Sequence, residues 1–193
     1  LVPANPALVG TSRPWFPRGG PVPPPQPRGL ESSSAGWGGM DAGTNVLYPA
    51  QAVDGLVHMH AGPELARALR AMPERSANTR CRVGESVCSA PYGLAALFDL
   101  LVHTPTPFYP ASSGGTQPWR TDLLGCYRSA VAVALGVLHQ AHPQGFVIDT
   151  PLLGAGAAGA PPHEAAAVAA LAVEYVAEDS QRWPCESLTL RFV

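Results

Sequence analysis

The sequence predicts an α/β domain in which helices cover both faces of a β-sheet. Three observations support this prediction: 46% of the 193 residues are hydrophobic, strand and helix patterns alternate through the second half of the chain, and a glycine-rich loop joins a strand to a helix. Such alternation is typical of layered folds, in which each sheet face is buried against helices. In these folds a ligand binds at the carboxyl ends of the strands.

The first part of the chain differs in composition from the rest. Residues 11–44 are rich in Pro, Gly and Ser and have no apolar period, which predicts an irregular arm or insertion with polyproline II character. "NVLYPA" (45–50) is a short apolar run, and from residue 45 to 193 the pattern becomes that of a packed domain.

Three stretches have apolar residues at helical spacing. Residues 62–72 begin beside Pro63, which fits the first turn of a helix. Residues 121–141 form the longest apolar stripe, and Thr121 is the expected N-cap. Residues 161–178 are rich in Ala and follow prolines, which a helix tolerates at its start. We expect these helices to cover the sheet.

The strands of that sheet are predicted from three apolar stretches. Residues 97–107 are expected to form a buried strand, closed by alternating prolines. "GFVIDT" (145–150) is a second buried strand, and "SLTLRFV" (187–193) alternates as a final strand does.

Composition excludes several classes of function. The net charge of −2 argues against binding of nucleic acid by bulk phosphate neutralisation. The four cysteines form neither a C-x-x-C pair nor a zinc spacing, which predicts thiols in a reducing compartment. No apolar run reaches the roughly 18 residues needed to span a bilayer, and no signal peptide is visible. We expect a cytoplasmic fragment or cleaved product that has no metal, cofactor or membrane partner.

The glycine-rich loop at residues 151–160 contains no side chain that performs chemistry. Its glycines, Gly154, Gly156 and Gly159, can take positive φ and let a ligand approach the main chain closely. The following helix adds unpaired N–H groups and a partial positive charge. The loop therefore predicts a phosphate site made of main-chain donors. A tight strand-to-helix turn that binds nothing is the alternative.

Five segments resemble the macro domain family and occur in the family's order. The loop and the helix after it resemble the family's second phosphate loop and its Ala-rich helix. The segments are "VDGLVHMHAGPEL" (53–65), "CRVGESVCSAPYGL" (81–94), "LVHTPTP" (101–107), "LLGCYRSAVAVA" (123–134) and "PLLGAGAAGAPPHEAAAVAALAV" (151–173).

The resemblance implies a three-layer α/β/α sandwich with a central mixed sheet, which binds ADP-ribose or ADP-ribosylated protein. It also implies weak hydrolysis of ADP-ribose from glutamate or aspartate, without a metal or a nucleophilic residue. An Asn of the first loop places a water molecule or the distal ribose, and both loops hold the diphosphate. The implied ligand-binding residues are Val53, Asp54, Gly55, Leu153, Gly154, Ala155, Gly156, Ala157, Ala158 and Gly159.

The Asn of the first loop has two candidate positions. "LVPANPALVG" (1–10) resembles the first ligand-loop strand, with Asn5 as the catalytic Asn, and makes residues 11–49 an insertion. Alternatively, residues 45–51 form this strand and Gln51 stands in the place of the Asn. We prefer Asn5, because that segment matches the family over more positions.

The loops also depart from the family, which leaves two functions open. Ala158 replaces the aromatic residue that covers the distal ribose in the family, and Gly154-Ala155 replace a Ser-Thr pair. The chain is either an ADP-ribose-binding module or a degenerate scaffold that binds proteins or RNA. An unrelated α/β hydrolase is a third alternative.

The composition also suggests a viral source. All twelve basic residues are Arg, which resembles a macro domain in the replicase polyprotein of a GC-rich virus. Such a source predicts viral or host partners in the host cytoplasm.

The remaining polar residues are assigned structural roles. Asp54 is expected to cap the helix that it opens, and His103 is expected to be a core histidine. Asp149 is expected to form a turn, because a carboxylate base beside bound phosphate would be repelled. Ser89, His103 and Asp149 compose a Ser-His-Asp triad on paper, but no G-x-S-x-G elbow supports it.

Overall fold

The computed structural model describes residues 1–11, 52–109, 116–179 and 185–193, which form an α/β fold. The strands are β1 (Val2–Ala4), β2 (Val87–Ser89), β3 (Leu101–Pro105), β4 (Phe146–Thr150) and β5 (Leu188–Phe192). The helices are α1 (Val53–Ala61), α2 (Pro63–Ala71), α3 (Gln117–Leu138) and α4 (Pro162–Asp179). The arm predicted at 11–44, apart from its first residue, and the run at 45–51 lie outside the described residues.

The strands form two ladders that meet side by side. In the first ladder β3 is central, with β1 parallel on one side and β2 antiparallel on the other. In the second ladder β4 and β5 are parallel. The main-chain nitrogen of Leu1 donates a hydrogen bond to the carbonyl oxygen of Asp149, which sets β1 beside β4. The described strands therefore make a mixed sheet, as predicted.

Neighbouring residues of β3 show that the sheet is covered on both faces. Leu101 packs in a cluster with Leu65 and Leu69 of α2. The next residue, Val102, packs in a different cluster with Val131 of α3 and Val176 of α4. Because successive side chains of a strand point to opposite faces, α1 and α2 lie on one face and α3 and α4 on the other. The predicted α/β/α layering is confirmed.

Helix α3, with 22 residues, is the longest of the described helices. By length and composition alone it is long and apolar enough to cross a membrane, contrary to the expectation from single apolar runs. Its buried side chains, which include Leu123, Tyr127 and Val131, pack against α4 and the sheet. A core helix also meets a length-and-composition criterion, and we interpret α3 as such a helix.

Element boundaries depart from the predictions at two places. Helix α3 begins at Gln117 after Thr116, so the predicted N-cap is wrong: Thr121 lies inside the helix and its hydroxyl donates to the carbonyl of Gln117. The strand predicted at 97–107 is shorter, because Leu97 is 73% exposed and the ladder starts at Leu101.

A glycine in the short 3₁₀ helix Tyr92–Leu94 allows a close main-chain contact. A Cβ added at Gly93 would lie 2.4 Å from the carbonyl oxygen of His60, whereas one added at Gly136 in α3 would meet nothing within 4 Å. We expect Gly93→Ala to lower the free energy of unfolding by about 2 kcal/mol. Gly136→Ala, the matched control, should raise it by about 0.5–1 kcal/mol. Urea titration of both variants checks this, and equal effects would contradict it.

Candidate functional site

A cavity of about 290 Å³ opens at the carboxyl ends of β1, β3 and β4. Four segments line it: the turn after β1, the start of α1, the segment after β3 and the loop after β4. The lining residues are Pro3, Ala4, Asn5, Pro6, Thr11, Ala52, Val53, Asp54, Thr106, Phe108, Pro151, Leu152, Leu153, Gly154, Gly156, Ala157 and Ala158. This is the position predicted for a ligand in an α/β fold.

The loop after β4 is curled rather than extended. The N–H of Gly159 donates to the carbonyl of Gly156 at 2.9 Å, and the N–H of Ala160 donates to that of Gly154, also at 2.9 Å. Gly154 and Gly159 have φ of 84° and 79°, which L-residues with a side chain rarely adopt. These glycines let the chain reverse direction within a few residues.

Several amides of this loop remain available to a ligand. Among the described residues, no acceptor is found for the N–H groups of Gly154, Gly156, Ala157 and Ala158. All four residues line the cavity. Successive main-chain donors on a concave surface make a site for an anion.

Leu153 fixes the loop to the core. Its side chain is 1% exposed and packs with Leu123 and Tyr127 of α3. Its N–H donates to the phenolic oxygen of Tyr127 at 3.0 Å. Burial raises the pKa of Tyr127 to about 12, so the phenol stays neutral. The start of the loop is therefore held by both packing and a buried hydrogen bond.

The segment after β3 is joined to the same loop. The N–H of Tyr109 donates to the carbonyl of Ala158 at 2.8 Å. The ring of Tyr109 meets Trp119 edge to face, with centroids 4.9 Å apart. These contacts fix the main chain beside Phe108 against both the loop and the core.

Asn5 lies at the end of β1 with half of its side-chain amide engaged. Its Oδ1 accepts the N–H of Val9 at 3.3 Å, and its main-chain carbonyl accepts the N–H of Leu8 at 3.0 Å. Leu8 has a positive φ of 55°, so this turn is tight. The engaged Oδ1 orients the Asn5 amide and leaves its NH₂ donors for other partners.

Asp54 is a buried carboxylate on the wall of the cavity. Its Oδ2 accepts the hydroxyl of Thr11 at 3.1 Å, and its Oδ1 lies 3.6 Å from Nε2 of His58. Burial raises the pKa of Asp54, while His58 and Thr11 oppose that shift. The predicted capping role is wrong: α1 starts after Ala52 without a side-chain cap, and Asp54 bonds to Thr11 instead.

The structure brings most of the predicted site residues together, Asn5 included. Gly55, Ala155 and Gly159 do not line the cavity: Gly55 is buried within α1, and Ala155 packs against the core. The lining includes the start of α1 rather than that of α4, where Pro161 and Pro162 lack N–H groups. Sequence reasoning missed Phe108, for which the proline-rich turn "TPTPFY" after a buried strand was the available signal.

The Ser-His-Asp arrangement does not assemble. Nε2 of His103 lies 2.9 Å from Oγ of Ser89, but Nδ1 has no partner among the described residues. The expected turn at Asp149 is wrong, because the residue lies in β4 opposite Arg191 of β5. Its two carboxylate oxygens accept hydrogen bonds from two nitrogens of the Arg191 guanidinium. That hydrogen-bonded arginine lowers the pKa of Asp149. His103 is a core histidine with one unsatisfied nitrogen.

The described residues contain no group of three His, Cys, Asp or Glu that could hold a metal ion. Among the described lining residues, the groups available to a ligand are main-chain donors, the Asp54 carboxylate, the Asn5 amide and the hydroxyls of Thr11 and Thr106.

Comparisons with known proteins agree with this geometry. The profile of the family described as "Macro domain" matches residues 41–169. A macro domain-containing protein of Ralstonia nicotianae is 32% identical over 130 residues, which cover 67% of this chain and 66% of that protein, just under two thirds. A second one, from Chlorobaculum tepidum, is 29% identical over 142 residues, covering 74% of this chain and 73% of that protein.

Solved structures are similar as well. The macrodomain of Oceanobacillus iheyensis with MES bound aligns with a TM-score of 0.57 and 25% identity, covering 82% of this chain and 73% of that one. The macro domain of ganglioside induced differentiation associated protein 2 aligns with a TM-score of 0.55 and 21% identity, covering 72% and 61%. The second shows likeness of fold alone. The curated relatives named here are bacterial, and these comparisons do not support a viral source.

Burial makes His103 a source of acid sensitivity. Burial lowers its pKa from 6.5 to about 3, so the folded chain keeps His103 neutral while the unfolded chain binds a proton below pH 6.5. Stability from this residue is complete above pH 6.5 and is lost as the pH falls toward 3. Acidification from pH 7 to pH 4.5 should therefore lower the free energy of unfolding by about 2 kcal/mol through His103.

Urea denaturation of the wild type and His103→Gln at the two pH values measures this cost. The Gln amide can keep the bond to Ser89, and all other titrating groups are common to both proteins. The wild type should therefore lose more stability on acidification than the variant. Parallel pH profiles would contradict the assignment.

Proposed function

The chain belongs to the macro domain family, and we propose that its cavity binds ADP-ribose, free or attached to a protein. Macro domains in general bind ADP-ribose or ADP-ribosylated targets. The observation that carries the proposal is that the available amides of Gly156, Ala157 and Ala158 line the same cavity as Asn5 and Asp54. We further propose a cytoplasmic location, which the four free cysteines support.

Main-chain donors suit a diphosphate in this cavity. Among the described lining residues Asp54 is the one that carries a charge, so none of their side chains neutralises an anion. Preorganised N–H dipoles perform that task at helix starts and in curled loops. The first turn of α1 adds a second set of donors at Val53 and Asp54. The diphosphate is held between the two.

The cavity favours the binding module over the degenerate scaffold. A scaffold without a ligand needs no open cavity at the strand ends and no rigid main chain around it. Here Leu153 and Tyr109 hold the glycine-rich loop in place without their side chains filling the cavity.

Asp54 and Asn5 support a hydrolytic activity at this site. In our proposal water adds across the bond between the ribose and a carboxylate side chain of the target, and releases ADP-ribose and the free carboxyl group. The carboxylate of Asp54, which lines the cavity, accepts the proton of that water. The NH₂ of Asn5 donates to the ribose or to the water.

Binding is tested by calorimetric titration with ADP-ribose. We expect a dissociation constant in the micromolar range for the wild type. Gly156→Glu should weaken binding by at least about tenfold, because its carboxylate faces the diphosphate. Gly136→Glu places the same charge on the exposed surface of α3 and should leave binding unchanged. No heat from the wild type at millimolar ligand would refute the proposal.

Hydrolysis is tested with a peptide ADP-ribosylated on glutamate. Asp54→Asn should lower the turnover rate by about 100-fold while ADP-ribose still binds, because the proton acceptor is lost. Asp149→Asn, which removes a carboxylate outside the cavity, should keep the rate of the wild type. Equal rates for Asp54→Asn and the wild type would remove Asp54 from the mechanism.

A further inference from the structure

Thr11 makes a long-range contact with the carboxylate on the cavity wall. Its hydroxyl donates a hydrogen bond to Oδ2 of Asp54 at 3.1 Å, across 43 residues of sequence. Asp54 is only 5% exposed, and both residues line the cavity. A carboxylate that is removed from water needs donors to replace those that it has lost. The contact therefore serves Asp54 rather than the surface of the protein.

The turn after β1 brings Thr11 to this position. Asn5 accepts two main-chain N–H groups of the turn, one through its carbonyl oxygen and one through Oδ1. Gly10 then takes a φ of 74° and packs against the ring of His58, where an added Cβ would lie 2.7 Å from Cγ. This close approach places the next residue, Thr11, beside the carboxylate. One short turn thus connects Asn5 with Asp54.

The two oxygens of Asp54 have different surroundings. Oδ2 accepts the Thr11 hydroxyl, whereas Oδ1 lies 3.6 Å from Nε2 of His58, which is too far for a hydrogen bond. Among the described residues, Oδ1 has no hydrogen-bond partner. The Thr11 hydroxyl therefore supplies the side-chain hydrogen bond that fixes the plane of the carboxylate. A fixed plane gives the remaining lone pairs a defined direction.

Thr11 also favours the ionised form of this carboxylate. Burial raises the pKa of Asp54, and the charge of His58 and hydrogen bonds from Thr11 oppose that shift. Burial, and then the charge of His58, lower the pKa of His103 to about 3, so β3 adds no cation near neutral pH. On α2, Glu64 and Arg67 pair with each other, and the N-terminal amine donates to the main chain of β4.

We propose that Thr11 is a positioning residue for the proposed hydrolysis. Its hydroxyl orients the Asp54 carboxylate toward the attacking water and keeps that carboxylate ionised. Thr11 itself transfers no proton and does not determine how tightly ADP-ribose binds. This inference rests on the proposed function.

The pH profile of turnover on a peptide ADP-ribosylated on glutamate tests the inference. Thr11→Val keeps the shape of the side chain and removes the donor. We expect its acidic limb to move to higher pH, with turnover about tenfold lower on that limb. Thr11→Ala should behave in the same way, and Thr11→Ser, which keeps the hydroxyl, should follow the wild type. Thr121→Val is the matched control, because that hydroxyl bonds to Gln117 within α3, outside the cavity lining.

Two further measurements separate positioning from binding and from loss of structure. Calorimetric titration at the pH of maximal turnover should give ADP-ribose affinities within about threefold for all variants. Carbon-13 NMR titration of the ligand-free protein, with Asp54→Asn to assign the signal, should show a higher pKa of Asp54 in Thr11→Val. Thermal melts identify the variants that are folded.

The inference is overturned if the wild type hydrolyses the peptide and the variants without the hydroxyl keep its acidic limb. It is also overturned if Thr11→Ser shifts the limb as far as Thr11→Val, or if Thr11→Val weakens ADP-ribose binding tenfold. In these cases the proposed function stands. If the wild type releases no ADP-ribose, the proposed hydrolysis fails, and the role of Thr11 fails with it whatever the NMR titration shows.

Discussion

The site depends on the attachment of the glycine-rich loop to α3 through Leu153. Leu153 buries its side chain beside Tyr127 and gives its N–H to the phenolic oxygen. A loop without large side chains has little apolar area of its own with which to oppose conformational entropy. Leu153 at the start of the loop and the buried Ala160 at its end supply this burial. The curl from Gly154 to Ala160 is built on it.

Sheet and loop act together to form the cavity. Proline occurs at or just beyond the carboxyl ends of β1, β3 and β4, at Pro6, Pro105 and Pro151. Proline has no N–H to donate to a ladder, and the described ladders end at Ala4, Pro105 and Thr150. The space between them is the cavity, and the start of α1 closes one side of it. The site thus lies where the described strand pairing ends.

Local patterns predicted the elements well and the polar contacts poorly. The spacing of Leu65 and Leu69 predicted α2, and "GFVIDT" predicted β4, because burial imposes a period that a sequence displays. The roles of Asp54 and Asp149 were predicted wrongly, because their partners lie far away in the chain. Arg191 is 42 residues from Asp149, and Thr11 is 43 residues from Asp54. No local pattern encodes such a pairing.

The curl after β4 also bears on how such a site can change over generations. Its donors are main-chain atoms, so exchanging the methyl groups of Ala157 or Ala158 for larger side chains leaves the N–H groups in place. Main-chain atoms therefore bind the phosphate groups, whereas side chains determine which phosphorylated molecule is preferred. Single substitutions of these side chains can change the ligand preference during evolution while phosphate binding is retained. Such a loop can therefore adapt to new ligands.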